Sequence, residues 1–488
     1  MSARLPQLLA GFADGAPDLD VRGLALDSRR VKAGDLFLAC QGHAHHGLAF
    51  LDAARAKGAA AVAWEPAQGV SAPGKIPAVA VKNLGARAGE IAARFYAQPS
   101  RQLFGVGITG TDGKTSTAHL IAQALERLGT PCLYVGTLGT GRLGHFDEAT
   151  HTTPDPVRLQ EILAGAVQQG VRALAMEVSS HALDQDRIAG TELAVAVLTN
   201  VGRDHLDYHG TVENYAAAKR KLFARAGLKS VVLNRDDAHG AAWAREQKGD
   251  VVVYGIGGEA PRAGRYVLAE NVKLSGEGLS FDVNSSAGRA ALRTRLLGRF
   301  NVYNLLAALA VLLEKGVALN DAVAALAESR TVPGRIEGFR GAKAAPLVVV
   351  DYAHTPQALE QILSAVRPHC AGQLIVVFGC GGDRDRGKRP LMGAAAARHA
   401  DRAIVTDDNP RSENPASITD AILAAMPADT PVIHDRAEAI ARAVRGATVD
   451  DIVVVAGKGH ETTQTYGQDV RAFSDRTFVA DLVGATVH

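Results

Sequence analysis

Residues 103–116 read LFGVGITGTDGKTS, an apolar run that leads into a glycine-rich loop with the Gly-Lys-Ser/Thr ending of phosphate-binding loops. The run 103–108 predicts a buried strand, and apolar residues recur at helical spacing after Lys114 until Gly129 and Pro131 end the pattern. Strand, loop and helix therefore follow one another in the order that a nucleotide phosphate site requires. The alternative, a glycine-rich turn with an exposed lysine, is disfavoured by these flanking elements.

The loop contains the residue types that bind phosphate. Gly110 and Gly113 let the backbone curl so that its N–H groups face phosphate oxygens, with the positive end of a helix dipole behind them. We expect Lys114 to reach the β- and γ-phosphates and the Thr115 hydroxyl to bind Mg²⁺. The sequence therefore predicts a site for a nucleoside triphosphate and magnesium.

The composition is that of a globular protein with no electrostatic footprint for nucleic acid. The chain has 488 residues, of which 47% are hydrophobic and 21% charged, and 53 basic against 51 acidic residues leave a formal net charge of +2. Its four cysteines are too widely spaced for a metal knuckle or a dense disulfide framework. The N-terminal apolar stretch is too short for a signal peptide, and no window approaches a membrane span. We therefore expect a cytoplasmic protein without a nucleic-acid or membrane partner.

The pattern of apolar runs divides the chain into three blocks, at 1–100, 101–334 and 335–488. In the first block it predicts strands at 24–26, 35–39 and 60–63 and a helix at 84–96. In the second it predicts a helix at 155–169 and strands at 173–178, 194–199, 231–234 and 251–254. In the third it predicts strands at 347–351, 374–378, 403–406, 432–434 and 452–456. Alternating strands and helices predict an α/β fold with a smaller N-terminal α/β domain, a central phosphate-loop domain with a mostly parallel sheet, and a Rossmann-like, doubly wound C-terminal domain.

Polar residues gather after the predicted strand 173–178. Glu177 lies near its end, where a carboxylate beside a phosphate loop could bind the Mg²⁺ of a nucleotide, or could equally be a surface charge on an edge strand. Ser179, His181, Gln185 and Arg187 follow closely. Because ligands bind at the carboxyl ends of strands in such sheets, the cluster predicts a binding site.

The next predicted strand leads into TNVGRDHLDYHG, residues 199–210. His205 in this turn is either a metal ligand or an ordinary loop histidine, and the residues alone favour neither. Thr211 predicts a helix N-cap. Lys219 lies two turns into that helix, in a run of basic residues that is typical of a solvated surface.

Arginines occupy two loops of the third block, GGDRDRGKRP at 381–390 and DDNPRSENP at 407–415. A guanidinium in a rigid loop is suited to forked binding of a carboxylate, although most loop arginines face water. Glu461 in AGKGHE adds a negative charge that could bind a substrate ammonium. Together these loops would fit a zwitterionic amino acid.

The chain resembles the Mur ligases of peptidoglycan synthesis in the motifs GTDGKTS, MEVSSH, TNVGRDHLDYHG, GRFNVYN, PGRIEGF, DYAHTP, GGDRD, DNPR and AGKGHE. The similarity begins at LDSRRVKAGDLF near the N-terminus and covers essentially the whole chain. It implies an ATP-dependent ligase that adds meso-2,6-diaminopimelate to UDP-N-acetylmuramoyl-L-alanyl-D-glutamate, acting in the cytoplasm as a monomer. It also implies one domain each for the UDP-sugar, for ATP and for the incoming amino acid.

The resemblance implies a role for each residue that matches a motif. The uridine diphosphate of the UDP-sugar dipeptide would contact Leu26, Ser28, His43, Ala44 and His45. Its muramoyl-dipeptide end would contact Thr152, Thr153, Ser179, Gln185 and Arg187. ATP would contact Gly110, Thr111, Asp112, Gly113, Lys114, Thr115, Ser116, Asn301, Arg335, Asp351 and His354. Magnesium would be bound by Thr115, Glu177, His205 and Lys219, with Lys219 in its N-carboxylated (carbamate) form. The implied catalytic residues are Lys114, Glu177, His205 and Lys219. Diaminopimelate would contact Arg384, Asp408, Asn409, Pro410, Arg411, Gly457 and Glu461.

In the reaction that the resemblance implies, the D-glutamyl carboxylate attacks the γ-phosphate of ATP, and the amine of diaminopimelate then attacks the acyl phosphate. Diaminopimelate carries a carboxylate that lysine lacks, and a buried Arg411 left without it would disfavour lysine. A lysine-adding ligase of the same family is the alternative, with folylpolyglutamate synthetase a further one; the DNPR loop and Arg384 speak against both. A phosphate-loop switch protein would have no use for an amino-acid pocket.

Two residues of the phosphate loop depart from the family pattern. Asp112 stands where Asn is usual, and Ser116 where Thr is commoner. The negative charge of Asp112 would weaken ATP binding unless the side chain faces away or pairs with a cation.

Overall fold

The structure is a computed structural model that describes residues 1–42, 45–148, 151–262, 264–341 and 345–485. The chain forms two compact units: one comprises Met1–Gly255, Glu259–Val267 and Leu306–Ala322, and the other Ile256–Gly258, Leu268–Leu305 and Val323–His488. Both contain helices and largely parallel sheets, so the predicted α/β class is confirmed. The predicted domain boundaries near residues 100 and 334 stay predictions. Among the described residues, no helix combines the length and the apolar character needed to cross a membrane.

The first hundred residues form β1 (Ala3–Arg4), α1 (Leu5–Leu8), β2 (Asp20–Val21), β3 (Gly23–Ala25), β4 (Asp35–Ala39), α2 (Leu51–Ala56), β5 (Ala61–Trp64), β6 (Ala78–Ala80) and α3 (Leu84–Phe95). Strands β3 to β6 make a parallel sheet in that order. Successive residues of β4 face opposite sides of it. Leu36 packs in one core with Ile91 of α3, while Phe37 packs in another with Leu51 of α2. Because both faces are covered, the strand is apolar throughout.

The phosphate loop follows β7, an inner strand of a second, larger sheet. Its elements are β7 (Phe104–Thr109), α4 (Lys114–Arg127), β8 (Cys132–Gly136), β9 (Gly139–Arg142), β10 (His145–Asp147), α5 (Pro156–Gln168), β11 (Ala173–Glu177), α6 (Ser180–Asp184), β12 (Val195–Leu198), α7 (Leu206–His209), α8 (Val212–Arg220), β13 (Ser230–Asn234), α9 (Ala238–Glu246) and β14 (Val251–Ile256). Six of these strands run parallel in the order β8-β11-β7-β12-β13-β14, and β9 and β10 extend the sheet antiparallel beyond β8.

The register of this sheet determines which loops meet. Glu177 at the end of β11 pairs with Ile108 of β7, and Leu198 at the end of β12 pairs with Thr109. Since the strands are parallel, the segments that follow β7, β11 and β12 leave the sheet at the same edge. The loop after Thr109 therefore lies between the two polar clusters that the sequence places after the neighbouring strands.

Between residues 265 and 327 the chain forms β15 (Arg265–Ser275), β16 (Gly278–Ser285), β17 (Gly288–Thr294), α10 (Phe300–Glu314) and α11 (Leu319–Ala327). Strands β16 and β17 make an antiparallel hairpin, with Leu279 opposite Thr294. Buried residues such as Phe281 and Val283 alternate with polar ones along β16. This pattern is typical of a strand with one solvated face.

The C-terminal part of the second unit forms β18 (Glu337–Phe339), β19 (Leu347–Asp351), α12 (Pro356–Val366), β20 (Leu374–Phe378), α13 (Lys388–His399), β21 (Arg402–Val405), α14 (Pro415–Leu423), α15 (Arg436–Arg445), β22 (Ile452–Ala456), β23 (Thr463–Tyr466), β24 (Asp469–Ala472) and α16 (Asp475–Val483). The sheet order is β18-β19-β22-β20-β21, and only β18 is antiparallel. Val349 and Val348 illustrate its two buried faces, since they lie in separate cores on opposite sides.

The predicted strand at 432–434 is wrong. The segment makes only an isolated bridge between Val432 and Val405 of β21. The carbonyl of Pro431 and the N–H of Ile433 bond to Val405, but Pro431 has no N–H with which to continue the ladder.

Candidate active site

A cavity of about 280 Å³ lies at the carboxyl edge of the larger sheet of the first unit. Its walls come from the phosphate loop, from the segments that follow β8, β10, β11 and β12, and from α8. The lining residues are Thr111, Asp112, Gly113, Lys114, Thr115, Ser116, Thr137, Thr152, Glu177, Ser179, Ser180, His205, Tyr215 and Lys219. Most of the residues expected to contact the phosphates and the metal therefore share one cavity, although they are distant in the sequence.

The phosphate loop is bonded to the segment that follows β12. The N–H of Thr111 donates to the carbonyl of Asn200 (2.9 Å), and the N–H of Asp112 donates to the Asn200 side-chain oxygen (3.0 Å). Gly110 has φ +155°, and a Cβ there would overlap the hydroxyl of Thr199. Only glycine fits at this position, because the two backbones approach closely.

Lys114 lies within the loop that precedes it. Its ammonium donates to the carbonyls of Gly110 (2.9 Å) and Thr111 (2.8 Å). Burial lowers the pKa of Lys114 below its ordinary value, although nearby carboxylates, Glu177 foremost, oppose this effect. The cation is thus held beside the loop N–H groups that would receive phosphate.

Lys219 is buried, with 1% of its surface exposed, so the surface position predicted from its charged neighbours is wrong. Helix α8 turns this residue inward together with Tyr215, whose ring centroid lies 4.3 Å from the ammonium. The ammonium donates to the Gly110 carbonyl at 2.7 Å. Burial, followed by the charge of Lys114, lowers the pKa of Lys219 to about 7. The predicted N-cap is confirmed, since the Thr211 hydroxyl accepts a hydrogen bond from the N–H of Asn214.

Glu177 is fully buried, which rules out a surface charge on an edge strand. Its carboxylate accepts hydrogen bonds from the hydroxyls of Thr115 (2.8 Å) and Tyr134 (2.5 Å) and from the N–H of Thr137 (2.8 Å). These donors fix the carboxylate next to the hydroxyl that is expected to bind magnesium. The contact of Thr115 with Glu177 therefore joins two of the predicted metal ligands.

His205 lines the same cavity on a strained turn. It has φ +51°, its side chain is 48% exposed, and its ring lies 4.9 Å from that of His181 and 3.4 Å from the carboxylate of Asp204. No group of three or more His, Cys, Asp or Glu side chains within the described ranges is arranged to hold a metal ion. A metal here would therefore depend on the Thr115 hydroxyl and on a modified Lys219 as well as on Glu177 and His205.

The residues expected to bind the dipeptide form a connected network beside the cavity. Thr152 and Ser179 line it. The Thr153 hydroxyl accepts from the N–H of Ser179 (3.3 Å), and its carbonyl accepts from Arg187 (3.2 Å). Gln185 accepts two hydrogen bonds from Arg187, at 3.0 and 2.7 Å. The structure thus brings together all five predicted dipeptide contacts of this region.

The structure describes three of the five residues that are expected to contact the uridine diphosphate. Leu26 lines a separate cavity of about 170 Å³ in the first unit, whose polar walls include Arg22, Asp27 and Arg158. Ser28 is buried at the start of a 3₁₀ turn, and His45 is exposed. His43 and Ala44 lie outside the described residues.

Three of the other predicted nucleotide contacts lie around one loop of the second unit. The Asp351 carboxylate accepts from the N–H groups of Ile336 and Ala353, both at 2.8 Å, while burial raises the pKa of Asp351. The Arg335 guanidinium lies 5.2 Å from the ring centroid of Tyr352. His354 donates to the carbonyl of Tyr352 (2.8 Å). The fourth, Asn301, is buried and donates to the carbonyl of Leu297 (2.7 Å).

The predicted diaminopimelate contacts gather at the carboxyl edge of the second unit's sheet. Asn409 donates to the Glu461 carboxylate (2.9 Å), and both contact the buried ammonium of Lys458, at 3.2 and 3.0 Å. Burial opposes the ionisation of Glu461, but hydrogen bonds from Lys458 and Asn409 outweigh it and lower its pKa. The carboxylate is therefore charged at neutral pH, as the binding of an ammonium requires.

The arginines lie nearby. Arg411 is half-buried, so the expected full burial is wrong. It has φ +52° and donates to the carbonyl of Gly382 (2.7 Å), while Arg384 is exposed in the adjacent loop. Gly457 has φ +121°, and a Cβ there would meet the carboxylate of Asp408. Pro410 completes the set, since it lies next to Arg411 in the chain. All seven predicted contacts therefore lie in loops that follow β20, β21 and β22.

Sequence reasoning missed several residues of these sites. Tyr134 and Thr137 hold Glu177, Tyr215 packs on Lys219, and Lys458 holds Asn409. Tyr134 lies in an apolar strand, and its hydroxyl gives no local signal of its partner. Lys458 lies inside the AGKGHE motif, which is the one signal that could have identified it.

Three family profiles match the chain: the Mur ligase family catalytic domain over residues 20–96, the Mur ligase middle domain over 108–312, and the Mur ligase glutamate ligase domain over 334–459. The middle-domain match includes the phosphate loop, Glu177, His205 and Lys219. The third match includes the loops that contain Arg384, Arg411 and Gly457.

Curated relatives are similar over almost their whole length. A protein from Alkalilimnicola ehrlichii, named UDP-N-acetylmuramoyl-L-alanyl-D-glutamate–2,6-diaminopimelate ligase, is 49% identical over 99% of both chains. A protein of the same name from Chromobacterium violaceum is 50% identical over 94% of this chain and 93% of its own. A solved structure with that name in its title superposes with a TM-score of 0.81 at 36% identity, over 99% of both chains.

Proposed function

The chain belongs to the Mur ligase family, and we propose that it joins meso-2,6-diaminopimelate to UDP-N-acetylmuramoyl-L-alanyl-D-glutamate while ATP is cleaved to ADP and phosphate. One observation carries the substrate assignment. Arg411 is a cation and Glu461 an anion, and hydrogen bonds to Thr465 connect the loops to which they belong. The N–H of Arg411 donates to the Thr465 carbonyl (3.0 Å), and the N–H of Thr465 donates to the Asn409 side-chain oxygen (3.0 Å). The Asn409 side chain in turn donates to the Glu461 carboxylate. We propose that a carboxylate of the incoming amino acid binds Arg411 and that an ammonium binds Glu461.

The phosphate loop is proposed to bind ATP. Its N–H groups at the start of α4 would receive the phosphates, and Lys114 would leave the carbonyls of Gly110 and Thr111 to bind the β- and γ-phosphates. The cation would then neutralise charge that develops on the γ-phosphoryl group during transfer.

Magnesium fits the donor set of the same cavity. The Thr115 hydroxyl and the Glu177 carboxylate are oxygen donors 2.8 Å apart, and oxygen is the donor that Mg²⁺ prefers. His205 and a carboxylated Lys219 complete the proposed ligands. Bound magnesium would offset the repulsion between ATP and the substrate carboxylate, both of which are anions.

Lys219 is proposed to be a carbamate. Its pKa of about 7 leaves much of the amine neutral under physiological conditions. A neutral amine attacks the carbon of CO₂ with its lone pair and loses one proton to solvent, which leaves a carbamate anion. The modification would replace a cation with an anion beside Lys114 and the phosphate loop.

The proposed reaction has two steps. An oxygen of the D-glutamyl carboxylate attacks the γ-phosphorus of ATP, the bond to the β-phosphate oxygen breaks, and ADP leaves an acyl phosphate behind. The neutral amine of diaminopimelate then attacks the acyl carbon, and phosphate departs from the tetrahedral intermediate as the nitrogen loses a proton. Thr152, Thr153, Ser179, Gln185 and Arg187 are proposed to hold the acceptor in place.

The second substrate is proposed to be recognised by its extra carboxylate. Arg384 and the loop of Asp408, Asn409, Pro410 and Arg411 would bind that end, with Gly457 and Glu461 completing the pocket. Lysine would leave Arg411 without a partner anion. A lysine-adding ligase of the same family is the alternative, and the arginine in this loop disfavours it.

The proposal includes a cytoplasmic monomer that acts on charged small molecules. Its support is that the proposed substrates are themselves charged nucleotides and amino acids. The calculated net charge of +2 offers no basis for nucleic-acid binding.

A phosphate-release assay tests the proposal. ATP, Mg²⁺ and UDP-N-acetylmuramoyl-L-alanyl-D-glutamate are supplied with either meso-diaminopimelate or L-lysine, and the nucleotide product is identified by mass spectrometry. We expect release with diaminopimelate and a product heavier by one diaminopimelate residue. Release with lysine alone would overturn the substrate assignment and favour the alternative.

A further inference from the structure

Two loops of the second unit are joined by side chains that lie outside the proposed substrate contacts. The Glu413 carboxylate accepts hydrogen bonds from the Arg389 guanidinium, at 3.1 and 2.8 Å, and from the N–H of Asp383 at 2.7 Å. The Asp383 carboxylate accepts from the N–H of Ser412 (3.1 Å) and from its hydroxyl (2.6 Å). We call these four residues, Asp383, Arg389, Ser412 and Glu413, the latch. They join the loop after β20 and the first turn of α13 to the loop after β21.

The backbones of the two loops are also in contact next to Arg411, the residue that is proposed to bind the second carboxylate of diaminopimelate. The N–H of Gly382 donates to the carbonyl of Asn409 (2.9 Å), and the Arg411 guanidinium donates to the carbonyl of Gly382 (2.7 Å). A Cβ at Gly382 would overlap the carbonyl of Pro410. The position of Arg411 therefore depends on where the neighbouring loop lies.

Both loops contain a strained residue that needs external support. Asp383 has φ +54° and Arg411 has φ +52°, in the left-handed region that costs a non-glycine residue free energy. Such a conformation persists only where the surroundings impose it. The latch bonds to the N–H of Asp383 and to the residue that follows Arg411, so it acts on both strained positions.

The central ion pair of the latch is largely removed from water. The Arg389 side chain is 3% exposed and that of Glu413 is 11% exposed, and Arg386 adds a second cation 3.2 Å from Glu413. Hydrogen bonds from Arg389, with a further one from the N–H of Asp383, lower the pKa of Glu413 to about 2. Arg389 and Glu413 therefore form an ion pair throughout the working pH range of an enzyme. Loss of the Glu413 carboxylate would leave the buried Arg389 guanidinium without this anion.

We propose that Glu413 is a positioning residue that, through the latch, holds Arg411 in the position that selects diaminopimelate over lysine. This inference rests on the proposed function. The latch would act only on the end of the substrate that carries the second carboxylate, since none of its members belongs to the cavity of the first unit.

The test compares E413Q and S412A with the unsubstituted chain. E413Q removes the charge of the central pair while preserving its shape, and S412A removes one hydrogen bond without unpairing a buried charge, so it folds even where E413Q does not. E438Q is the matched control, since Glu438 makes an exposed ion pair with Arg445 (3.3 Å) on α15. For each protein, KM is measured for diaminopimelate, ATP and the UDP-sugar dipeptide, together with kcat/KM for diaminopimelate and for lysine.

We expect E413Q to raise KM for diaminopimelate about tenfold and S412A to raise it about threefold, with the other two KM values unchanged. The diaminopimelate-to-lysine ratio of kcat/KM should fall by the same factors, because lysine makes no contact that Arg411 can lose. A general loss of folded protein would lower kcat for all substrates and leave this ratio constant. E438Q should match the unsubstituted chain.

Two results would contradict the inference in different ways. An unchanged KM and an unchanged selectivity ratio in both S412A and E413Q would overturn the latch while the proposed function stands. No diaminopimelate-dependent phosphate release from the unsubstituted chain would overturn the proposed function, and the selectivity role with it. Hydrogen exchange at the Asp383 amide provides a readout that needs no substrate: faster exchange in E413Q supports the latch, and unchanged exchange contradicts it.

Discussion

The ammonium groups of Lys114 and Lys219 donate to the same acceptor, the carbonyl oxygen of Gly110, over 2.9 and 2.7 Å. Two cations at one oxygen repel each other, and Lys219, the more deeply buried of the two, has a pKa of about 7. A carbamate at Lys219 would turn this repulsion into attraction and would free the Gly110 carbonyl of one donor. The pair therefore links the modification of Lys219 to the position of Lys114.

Carbamate formation should follow the protonation of Lys219. Because its folded-state pKa is lowered, the amine is protonated and inert well below pH 7 and becomes a nucleophile as the pH rises through that value. With ¹³C-labelled bicarbonate, we expect the carbamate NMR signal to form faster as the pH rises and to level off above about pH 8. A rate that rises only near the ordinary lysine pKa of about 10.4 would contradict this assignment. The K219M variant, which keeps the aliphatic chain, should give no signal.

K219A should lower kcat by about a hundredfold or more, the scale seen when a group that orients a metal site is removed. Added acetate or another short carboxylic acid should restore part of the activity, because it can supply an anion where the carbamate was. R220A is the matched control on the same helix, since Arg220 is exposed and forms an ion pair with Glu246. Full activity in K219A without additives would show that the lysine has no part in the reaction.

R411A should raise KM for diaminopimelate about a hundredfold, the loss expected for a charge-assisted, forked contact to a carboxylate. R411K should recover only part of this loss, because an ammonium cannot form the fork. KM for ATP should stay the same, since Arg411 is not among the proposed ATP contacts. If KM for diaminopimelate is unchanged in R411A, then Arg411 does not contact this substrate.

Most of the parallel strands were predicted from the sequence, but two of them, β6 and β8, and the antiparallel strands were not. Strands such as β4, β19, β20 and β22 match their predicted bounds, because burial on both faces produces an uninterrupted apolar run. Residues 139–142 and 145–147, which form β9 and β10, are instead rich in glycine and polar residues, and no such run identifies them. Their pairing depends on the neighbouring strand β8.

The candidate site shows a similar division. The glycine loop is recognisable because strand, loop and helix are adjacent in the chain. The burial of Lys219 and Glu177 is not, because it arises from contacts with residues about 109 and 43 positions away, at Gly110 and Tyr134. A basic run and a lone acid on a strand have the same local pattern whether they face solvent or a cavity. The family resemblance predicts a role in the site for both residues where the pattern alone did not, and those roles stay predictions.

D112N should strengthen ATP binding. Asp112 is exposed but lines the cavity of the phosphate loop, so its carboxylate opposes the approach of a polyphosphate. Its backbone N–H and carbonyl hold the loop to Asn200 and Thr199, and asparagine preserves both contacts. Because an exposed charge is well screened, we expect only about a threefold fall in KM for ATP at low ionic strength. The difference in KM for ATP between D112N and the unsubstituted chain should shrink as salt is added. T111S keeps the charge of Asp112 and a hydroxyl at position 111, so it should show no salt-dependent difference from the unsubstituted chain. Equal KM values for D112N and the unsubstituted chain at low salt would mean that the carboxylate faces away from the bound phosphates.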